Sequence, residues 1–297
     1  MEDLLVVGIA GFLAAMVDGA LGMGFGPTSS TILLGSGLPP TAVSTTVNLA
    51  KVASGMAAGV SHWRFKNIDH RLVLQLAIPG CFGAVIGVTV LSNIDGDTLR
   101  PYLAAMLLLV GLRMLLRFSK PLPTLPAAAD GSSEVSPQGA PKFDERGVKV
   151  MATAGGVTNG LVGAWGPVIT PFLLHRGLPP RYAIGSVNTA EVAVAAVAAS
   201  SLIASTGRGD LRMGVILAMM IGGVIAAPLA AWVIRYIPAR AMGLAVAGLL
   251  MLTNVRELAT WAGIDSTRWV FYGLVPVLVA LAALAPRLKA PDVAPSV

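Results

Sequence analysis

Two ionisable residues inside long apolar stretches are the strongest chemical signal in this sequence. Lys51 lies near the middle of the stretch 41–61, and Glu191 lies near the middle of 182–205. If these stretches cross a membrane, each charge costs several kcal/mol and must face a cavity or a partner. Lys51 could attract an anion and Glu191 could carry a coupling proton, or the two side chains could form a structural ion pair.

Polar side chains accompany both charges at matching positions. Asn48 and Asn188 each precede the charged residue by three positions, and an amide side chain can both donate and accept hydrogen bonds. Either the two amides contact a bound substrate or they join neighbouring helices. The other polar residues of the two stretches are Ser44, Thr45, Thr46, Ser186 and Thr189.

Two glycine-rich breaks interrupt shorter apolar stretches, GALGMGFGP at 19–27 and NGLVGAWGP at 159–167. Glycine permits backbone conformations that other residues resist, and proline suits the first turn of a helix. Half-helices that begin at Pro27 and Pro167 would point free N–H groups and positive dipole ends into the break, which suits an anion. Alternatively, the small residues only allow close helix packing.

Hydroxyl side chains follow both prolines and could add further donors to a bound anion. They are Thr28, Ser29, Ser30 and Thr170. Together with the breaks and the polar stretches, they give a candidate substrate-binding set, and the sequence offers no catalytic residue. The set is Gly24, Gly26, Pro27, Thr28, Ser29, Asn48, Lys51, Gly166, Pro167, Thr170, Asn188 and Glu191.

Three residues beside the breaks carry weaker signals. Asp18 ends the first apolar stretch, where it could bind a proton or cap a helix end. Trp165 in the second break corresponds to Phe25 in the first. Each aromatic ring could form a wall of the site or could serve packing alone.

The composition places these residues in a membrane protein. Of 297 residues, 55% are hydrophobic and 12% are charged, whereas about 25% are charged in a typical soluble protein; the mean hydropathy is +0.76. The single cysteine, Cys81, excludes a disulfide framework, and the three histidines lack metal-ligand spacing. The net charge of +6 is scattered between apolar runs, so it indicates membrane topology rather than nucleic-acid binding. We expect no cofactor, no metal and no enzyme active site.

The apolar pattern predicts an all-α integral membrane protein with about 8–11 membrane segments. The segments lie near 4–18, 26–36, 41–61, 72–92, 100–118, 148–164, 166–175, 182–205, 211–235, 239–255 and 268–286. A full span needs about 20 apolar residues, so the short pairs before and after each break are predicted to be broken or re-entrant helices. Glu2 and Asp3 precede the first run and no cleavage pattern follows it, so we interpret it as part of the mature protein.

The two halves of the chain are copies of each other. A shift of 140 residues aligns 21–53 with 161–193 without a gap, and both copies carry Gly-Pro, Gly-Leu-Pro-Pro and the asparagine in register. The predicted organisation is a first transmembrane repeat, a flexible linker, a second repeat, and an extra C-terminal helix with a tail. Their ranges are 1–118, 119–146, 147–260 and 261–297.

Loop charge predicts that the second repeat is inverted. The loop 61–71 and the flanks of the linker 119–146 are rich in Lys and Arg, whereas the loop 93–98 carries two aspartates and no basic residue. The positive-inside rule then makes the linker cytoplasmic and the N-terminus periplasmic, so the first half starts outside and ends inside. The loop 206–212 should be external, although it carries Arg208 and Arg212. Inverted repeats with broken helices are characteristic of secondary transporters.

In these residues the sequence resembles the sulfite exporter TauE/SafE family, also called DUF81 or TSUP. The resemblance covers nearly the whole chain outside the linker and the C-terminal end. It rests on the glycine-rich break followed by proline, the Gly-Leu-Pro-Pro turn with Ala42 or Ala183 after it, and the basic loop SHWRFKNIDHR at 61–71. This sequence departs from the family where the glycine run is interrupted by Met23 and Phe25, and where Lys51 replaces a frequent acid.

The resemblance implies a multi-pass protein of the bacterial inner membrane that moves small sulfur-containing anions such as sulfite, thiosulfate or sulfoacetate. We therefore expect a secondary transporter in the lipid bilayer, an exporter of sulfite or an organosulfonate that works by alternating access. The alternatives are a passive anion channel of the same fold and a membrane-embedded factor that handles sulfur. A homodimer is a further expectation.

Overall fold

The computed structural model describes residues 4–21, 23–119, 143–207, 213–233, 239–264 and 268–284, and these residues form eleven helices. The first half contains α1 (Leu4–Leu21), α2 (Phe25–Gly35), α3 (Pro40–Arg64), α4 (His70–Asn93) and α5 (Gly96–Ser119). The second half contains α6 (Val148–Val162), α7 (Gly166–His175), α8 (Pro180–Thr206), α9 (Met213–Val233), α10 (Ala239–Trp261) and α11 (Arg268–Leu284).

Each of the eleven predicted segments corresponds to one helix, so the prediction of an all-helical chain is confirmed for the described residues. Four helices are long and apolar enough to cross a membrane, namely α4, α5, α8 and α10. Helix α3 has similar length but carries the polar residues around Asn48 and Lys51, which lower its hydropathy. Most of the predicted linker and the residues 208–212 lie outside the described part of the chain.

Glycines let α4 pack closely on α6. A Cβ built on Gly83 would lie 2.1 Å from the carbonyl oxygen of Thr153, and one built on Gly156 would lie 2.1 Å from that of Gly80. Small residues of this kind bring membrane helices together where no water is present to drive association. The α1–α9 pair uses the same device, since a Cβ on Gly222 would lie 2.1 Å from the Gly8 carbonyl oxygen.

The outward sides of the helices are apolar. Leu74, Ile78 and Phe82 form a row along α4 with exposed fractions of 61%, 69% and 66%. Helices α1, α9 and α11 carry similar rows of exposed aliphatic side chains. So much exposed apolar surface suits contact with lipid rather than with water.

One face of the molecule, called the A face, carries the α3–α4 loop, the segment before α6 and the α7–α8 turn. The Asp69 N–H donates to Ser186 Oγ at 3.0 Å, which holds the α3–α4 loop on the start of α8. The Asp144 N–H donates to the Arg176 carbonyl oxygen at 3.2 Å, and their side chains form an ion pair. Helix α6 therefore begins, and α7 ends, at the A face.

The opposite face, called the B face, carries the α2–α3 and α4–α5 turns. The Arg100 guanidinium donates to the Leu34 carbonyl oxygen at 3.2 Å, which joins the start of α5 to the end of α2. A Cβ built on Gly96 would lie 3.3 Å from Pro40 Cδ, so the start of α3 is also there. Helix α8 runs for 27 residues, about 40 Å, from the A face, so it ends at the B face and α9 begins there.

The short helices form two hairpins that enter the molecule from opposite faces. A Cβ built on Gly214, at the start of α9, would lie 3.3 Å from Leu4 Cδ2, so α1 begins at the B face, where α2 also ends. The α6–α7 hairpin begins and ends at the A face. The sequence left open whether these segments cross or re-enter, and in the structure each pair is a hairpin whose two ends lie at the same face.

We predict that Gly156→Ala destabilises the protein. The new methyl group would collide with backbone atoms of α4, and overpacking of this kind costs about 1–3 kcal/mol. The midpoint of thermal unfolding of the purified protein in detergent should fall by several degrees. The matched control is Gly273→Ala in α11, where a Cβ meets no atom within 4 Å, so its midpoint should stay or rise. Equal midpoints for the two variants would contradict the packing.

Candidate functional site

The tips of the two hairpins meet inside the protein. A Cβ built on Gly26, near the start of α2, would lie 1.8 Å from the carbonyl oxygen of Gly163, the residue that ends α6. Gly163 has a φ of +69°, a left-handed conformation that favours glycine. Contact between these two backbones leaves no room for a side chain on Gly26. The candidate site is built around this contact.

Lys51 of α3 donates to the end of α6. Its Nζ lies 2.5 Å from the Gly163 carbonyl oxygen and 3.1 Å from Asn159 Oδ1. The last carbonyls of a helix have no partner within the helix and carry partial negative charge. A cation at this position therefore satisfies the end of α6 by hydrogen bonding and by charge.

Lys51 also forms an ion pair with Glu191 of α8. The two side chains are 5% and 13% exposed, so the pair is largely removed from solvent. The sequence positions differ by 140, which is the offset of the internal copy. Of the alternatives left open by the sequence, the structure therefore has the ion pair between Lys51 and Glu191.

Two asparagines join α3 to α6. Asn159 Nδ2 donates to Asn48 Oδ1 at 2.7 Å, and Asn48 Nδ2 donates to the Asn159 carbonyl oxygen at 3.3 Å and to the Ser44 carbonyl oxygen at 2.9 Å. Asn48 is fully buried by these contacts. Sequence reasoning did not select Asn159, although an amide in a short apolar segment was a signal for it.

Asn188, the counterpart of Asn48, is in a different environment. It is half-buried on α8 near Gly55, and its side chain forms no hydrogen bond with another described residue. The position that would match Asn159 is Gly19, which has no side chain. Asn188 consequently keeps its amide free, whereas Asn48 does not.

Asp18 caps the start of α2. Its Oδ1 accepts hydrogen bonds from the backbone N–H groups of Gly24 at 2.9 Å and Phe25 at 3.2 Å. A carboxylate is favourable at a helix N-terminus, because the first N–H groups lack partners there. Of the two roles considered for Asp18, capping is the one that the structure shows. The first-half N-terminus is thus already occupied by a negative charge.

Three hydroxyl groups of the predicted set are buried without a partner. Thr28, Ser29 and Thr170 are each at most 1% exposed, and their oxygen atoms form no hydrogen bond with another described residue. Ser30 differs from them, because its Oγ donates to the Val162 carbonyl oxygen at 2.6 Å. A buried polar group without a partner costs about 1–3 kcal/mol, so three of them next to the hairpin tips need an explanation.

The prolines and glycines of the set line a crevice between the hairpin tips. The lining residues are Asp18, Met23, Gly26, Pro27, Lys51, Gly163, Gly166, Pro167 and Glu191. These groups close on one another and leave no space for a water molecule. Gly24 lies just outside the crevice, before the start of α2. In this conformation the centre is therefore closed.

Trp165 serves packing rather than the crevice. Its Nε1 donates to the Val187 carbonyl oxygen at 3.2 Å, and its ring lies against Gly80 of α4. It is fully buried. Of the two roles considered for this ring, packing between α4, α6 and α8 is the one observed.

The charges and donors around the hairpin tips are chemically suited to an anion. Lys51 supplies positive charge, and Thr28, Ser29 and Thr170 supply hydroxyl donors that nothing else uses. Helix α7 begins without a side-chain cap, so its first N–H groups add partial positive charge. The described residues contain no group of three or more side chains suited to a metal ion.

Comparison with known proteins gives a family and a relative. The family profile described as "Sulfite exporter TauE/SafE" matches residues 7–256. The chain is 39% identical over 262 residues to the "Probable membrane transporter protein YtnM" of Bacillus subtilis (strain 168), with 87% of this chain and 83% of that protein covered. No solved structure matches this chain.

We predict that exchanging the charges of the central pair restores stability only in part. Lys51→Met leaves Glu191 and the end of α6 without their cation, and we expect a loss of about 3–5 kcal/mol. The exchange Lys51→Glu with Glu191→Lys rebuilds an ion pair but moves the cation to α8, away from its acceptors on Gly163 and Asn159. Thermal unfolding in detergent should place it between the wild type and Lys51→Met.

The matched control is Arg71→Met, which breaks an exposed ion pair with Glu145. Arg71 is 63% exposed, so this variant should unfold close to the wild type. Full recovery in the charge-exchange variant would contradict the role of Lys51 at the end of α6.

Proposed function

We propose that this chain, which belongs to the TauE/SafE sulfite exporter family, carries a small sulfur-containing anion such as sulfite or an organosulfonate across the membrane. It is a multi-pass membrane transporter and not an enzyme. The anion binds between the hairpin tips, and access alternates between the two faces. The single observation that carries this proposal is the buried Lys51 in the crevice between the hairpin tips, where α2 and α7 begin and carry three buried hydroxyl groups without a described partner.

Two inverted repeats support alternating access. Two equivalent residues from halves related by a two-fold axis can contact each other only near that axis. Two such pairs, each separated by 140 positions, are in contact here. Lys51 pairs with Glu191 where α3 crosses α8, and a Cβ on Gly111 would lie 3.1 Å from Met251 Cγ where α5 crosses α10. The packing of α1 on α9 likewise matches the packing of α6 on α4. The hairpins enter from opposite faces, as inversion requires.

The anion competes with Glu191 for Lys51. In the closed centre the Lys51 ammonium group is already paired with Glu191. An anion can therefore bind Lys51 only if the lysine holds the anion and Glu191 together, or if Glu191 is released. A carboxylate released into an apolar interior is favoured to take up a proton. Glu191 thereby offers a route for proton coupling, and the free amide of Asn188, three residues away, offers a further donor.

A carrier fits the structure better than a channel. The centre holds no space for a water molecule, and the ion pair and the tips must separate before an anion enters. A carrier that opens to one face at a time requires such a closed intermediate. A passive channel of the same fold would need a continuous path through these residues.

We assign the A face to the cytoplasm. The A-face loops carry Arg64, Lys66 and Arg71, whereas the α4–α5 turn at the B face carries Asp95 and Asp97. The positive-inside rule favours this orientation in the bacterial inner membrane and puts the N-terminus of α1 outside. An inside-negative potential then favours export of an anion by about 2.3 kcal/mol per charge per 100 mV.

Efflux from vesicles tests the substrate. Purified protein in liposomes loaded with radiolabelled sulfite should release the label faster than protein-free liposomes, and the rate should saturate with internal sulfite. Thiosulfate and sulfoacetate, tested as internal competitors, rank the anions. If none of the three anions leaves faster than from protein-free liposomes, the proposed substrate class is wrong.

We predict that removing the unpartnered hydroxyls weakens transport without weakening the fold. Thr28→Val, Ser29→Ala and Thr170→Val remove no hydrogen bond from the structure, so the unfolding midpoint should stay or rise. Each hydroxyl that binds the anion contributes about 1–1.5 kcal/mol, so the half-saturating sulfite concentration should rise roughly tenfold. The measurement is sulfite efflux at a series of internal concentrations.

Thr89→Val is the control for these variants. Its hydroxyl is exposed on α4 and donates to the Val85 carbonyl oxygen of the same helix. Neither stability nor efflux should change much. Unchanged half-saturation in all three site variants would remove these hydroxyls from the binding site.

A further inference from the structure

The two hairpins are held differently. Helix α2 packs on α10 and touches α5 and α6, in addition to α1 and α3. Within the described residues, α7 packs closely only on α6 and α8. By the 140-residue offset, α10 corresponds to α5 and α2 corresponds to α7, so the matching contacts of α7 with α5 and α10 are among those not formed.

Burial follows the same asymmetry. Thr31 and Leu34 of α2 are 1% and 4% exposed. Their counterparts on α7, Pro171 and Leu174, are only half-buried, and His175 is exposed. The face of α7 formed by Pro171, Leu174 and His175, called the open α7 face, is therefore not covered by any helix of the described residues.

Three specific contacts hold the covered face of α2. Asn254 Nδ2 of α10 donates to Thr31 Oγ1 at 3.0 Å. A Cβ on Gly35 would lie 3.1 Å from Thr253 Cγ2 of α10. The Arg100 guanidinium of α5 donates to the Leu34 carbonyl oxygen at 3.2 Å. Together they close the α5–α10 pair against α2 at the B face.

We propose that the open α7 face is a second docking surface for the α5–α10 pair, occupied when that pair leaves α2. Docking on α2 closes the B face, and docking on α7 closes the A face. The proposal rests on the inverted repeats of the proposed function. The contacts expected on this surface are absent from the present structure. The 140-residue offset predicts contacts of His175 with Arg113, of Pro171 with Met114, and of the Leu174 carbonyl oxygen with Arg240.

The α7 end presents its carbonyl as the α2 end does. Gly37 and Gly177 follow the two helices with φ values of 90° and 89°, and their N–H groups donate to Leu34 O at 3.0 Å and to Leu174 O at 3.2 Å. A carbonyl oxygen can accept two hydrogen bonds, so Leu174 can still accept a guanidinium N–H. The acceptor side of the second docking surface is thus preformed.

The donor side is present but engaged elsewhere. Arg240 donates to the carbonyl oxygens of Phe118 at 3.0 Å and Ala282 at 2.9 Å, at the ends of α5 and α11. It lies at the A face, as Arg100 lies at the B face. Docking on α7 therefore requires Arg240 to leave these carbonyl oxygens and to donate to the Leu174 carbonyl oxygen instead. Arg113 is exposed on α5 and is free to approach His175.

Paired cysteines test the second surface. Cys81 is the only cysteine of the chain, so Cys81→Ala gives a background without thiols. Gly35→Cys with Thr253→Cys reports docking on α2, and His175→Cys with Arg113→Cys reports docking on α7. A protease site introduced between residues 120 and 142 separates both pairs, so fragments that stay joined after oxidation, denaturation and cleavage show the cross-link.

Both pairs should form disulfides in native membranes, and reduction should restore the sulfite efflux that each disulfide blocks. A variant with all four cysteines should form either disulfide but not both in one chain, because the α5–α10 pair docks on one hairpin at a time. His175→Cys with Thr253→Cys is the control and should not cross-link, since these positions lie at opposite faces.

Absence of the 175–113 disulfide, under conditions that form the 35–253 disulfide, would overturn the proposal. Formation of both disulfides in the same chain would overturn it as well. Cross-linking needs no substrate, so it is judged separately from the identity of the anion: a chain that forms exclusive disulfides but moves no sulfite keeps the docking surface and loses the proposed substrate.

Discussion

Helices that end inside an apolar interior leave backbone groups without partners, and the centre of this protein is organised by that constraint. The end of α6 exposes the carbonyls of Asn159, Gly160, Val162 and Gly163, and side chains of α2 and α3 donate to each of them. Asp18 accepts from the N–H groups that precede α2. Ser30, Ser44, Asn48 and Lys51 thus have their partners because a hairpin ends there.

The same constraint explains how a structural centre serves transport. Lys51 is held by a carbonyl, an amide and a carboxylate, all of which an anion can replace or supplement. A fully paired centre is closed, while the hydroxyls of Thr28, Ser29 and Thr170 remain without partners. In the proposed function, binding would therefore exchange existing partners for new ones, which would keep the cost of desolvating the anion low.

The sequence was sufficient for the elements but not for their partners. Apolar runs located all eleven helices of the described residues, and the glycine-rich breaks located the hairpin tips, because composition and proline report local backbone preference. The sequence identified Lys51 and Glu191 but left open whether the two side chains act separately or form an ion pair, because that depends on where α3 crosses α8. Asn159 was missed because its contact with Asn48 spans 111 residues and has no counterpart in the other half.

Divergence between the halves gives the two docked arrangements different energies. The hydrogen bond from Asn254 to Thr31 has no counterpart, because the matching residues are Met114 and Pro171. One such bond contributes about 1 kcal/mol, so docking on α2 is favoured roughly fivefold over docking on α7, all else being equal. A transporter with identical halves would rest in neither state. In the proposed mechanism, sequence changes away from the anion site thus set which docked arrangement is preferred at rest, and the arrangement present here is docking on α2.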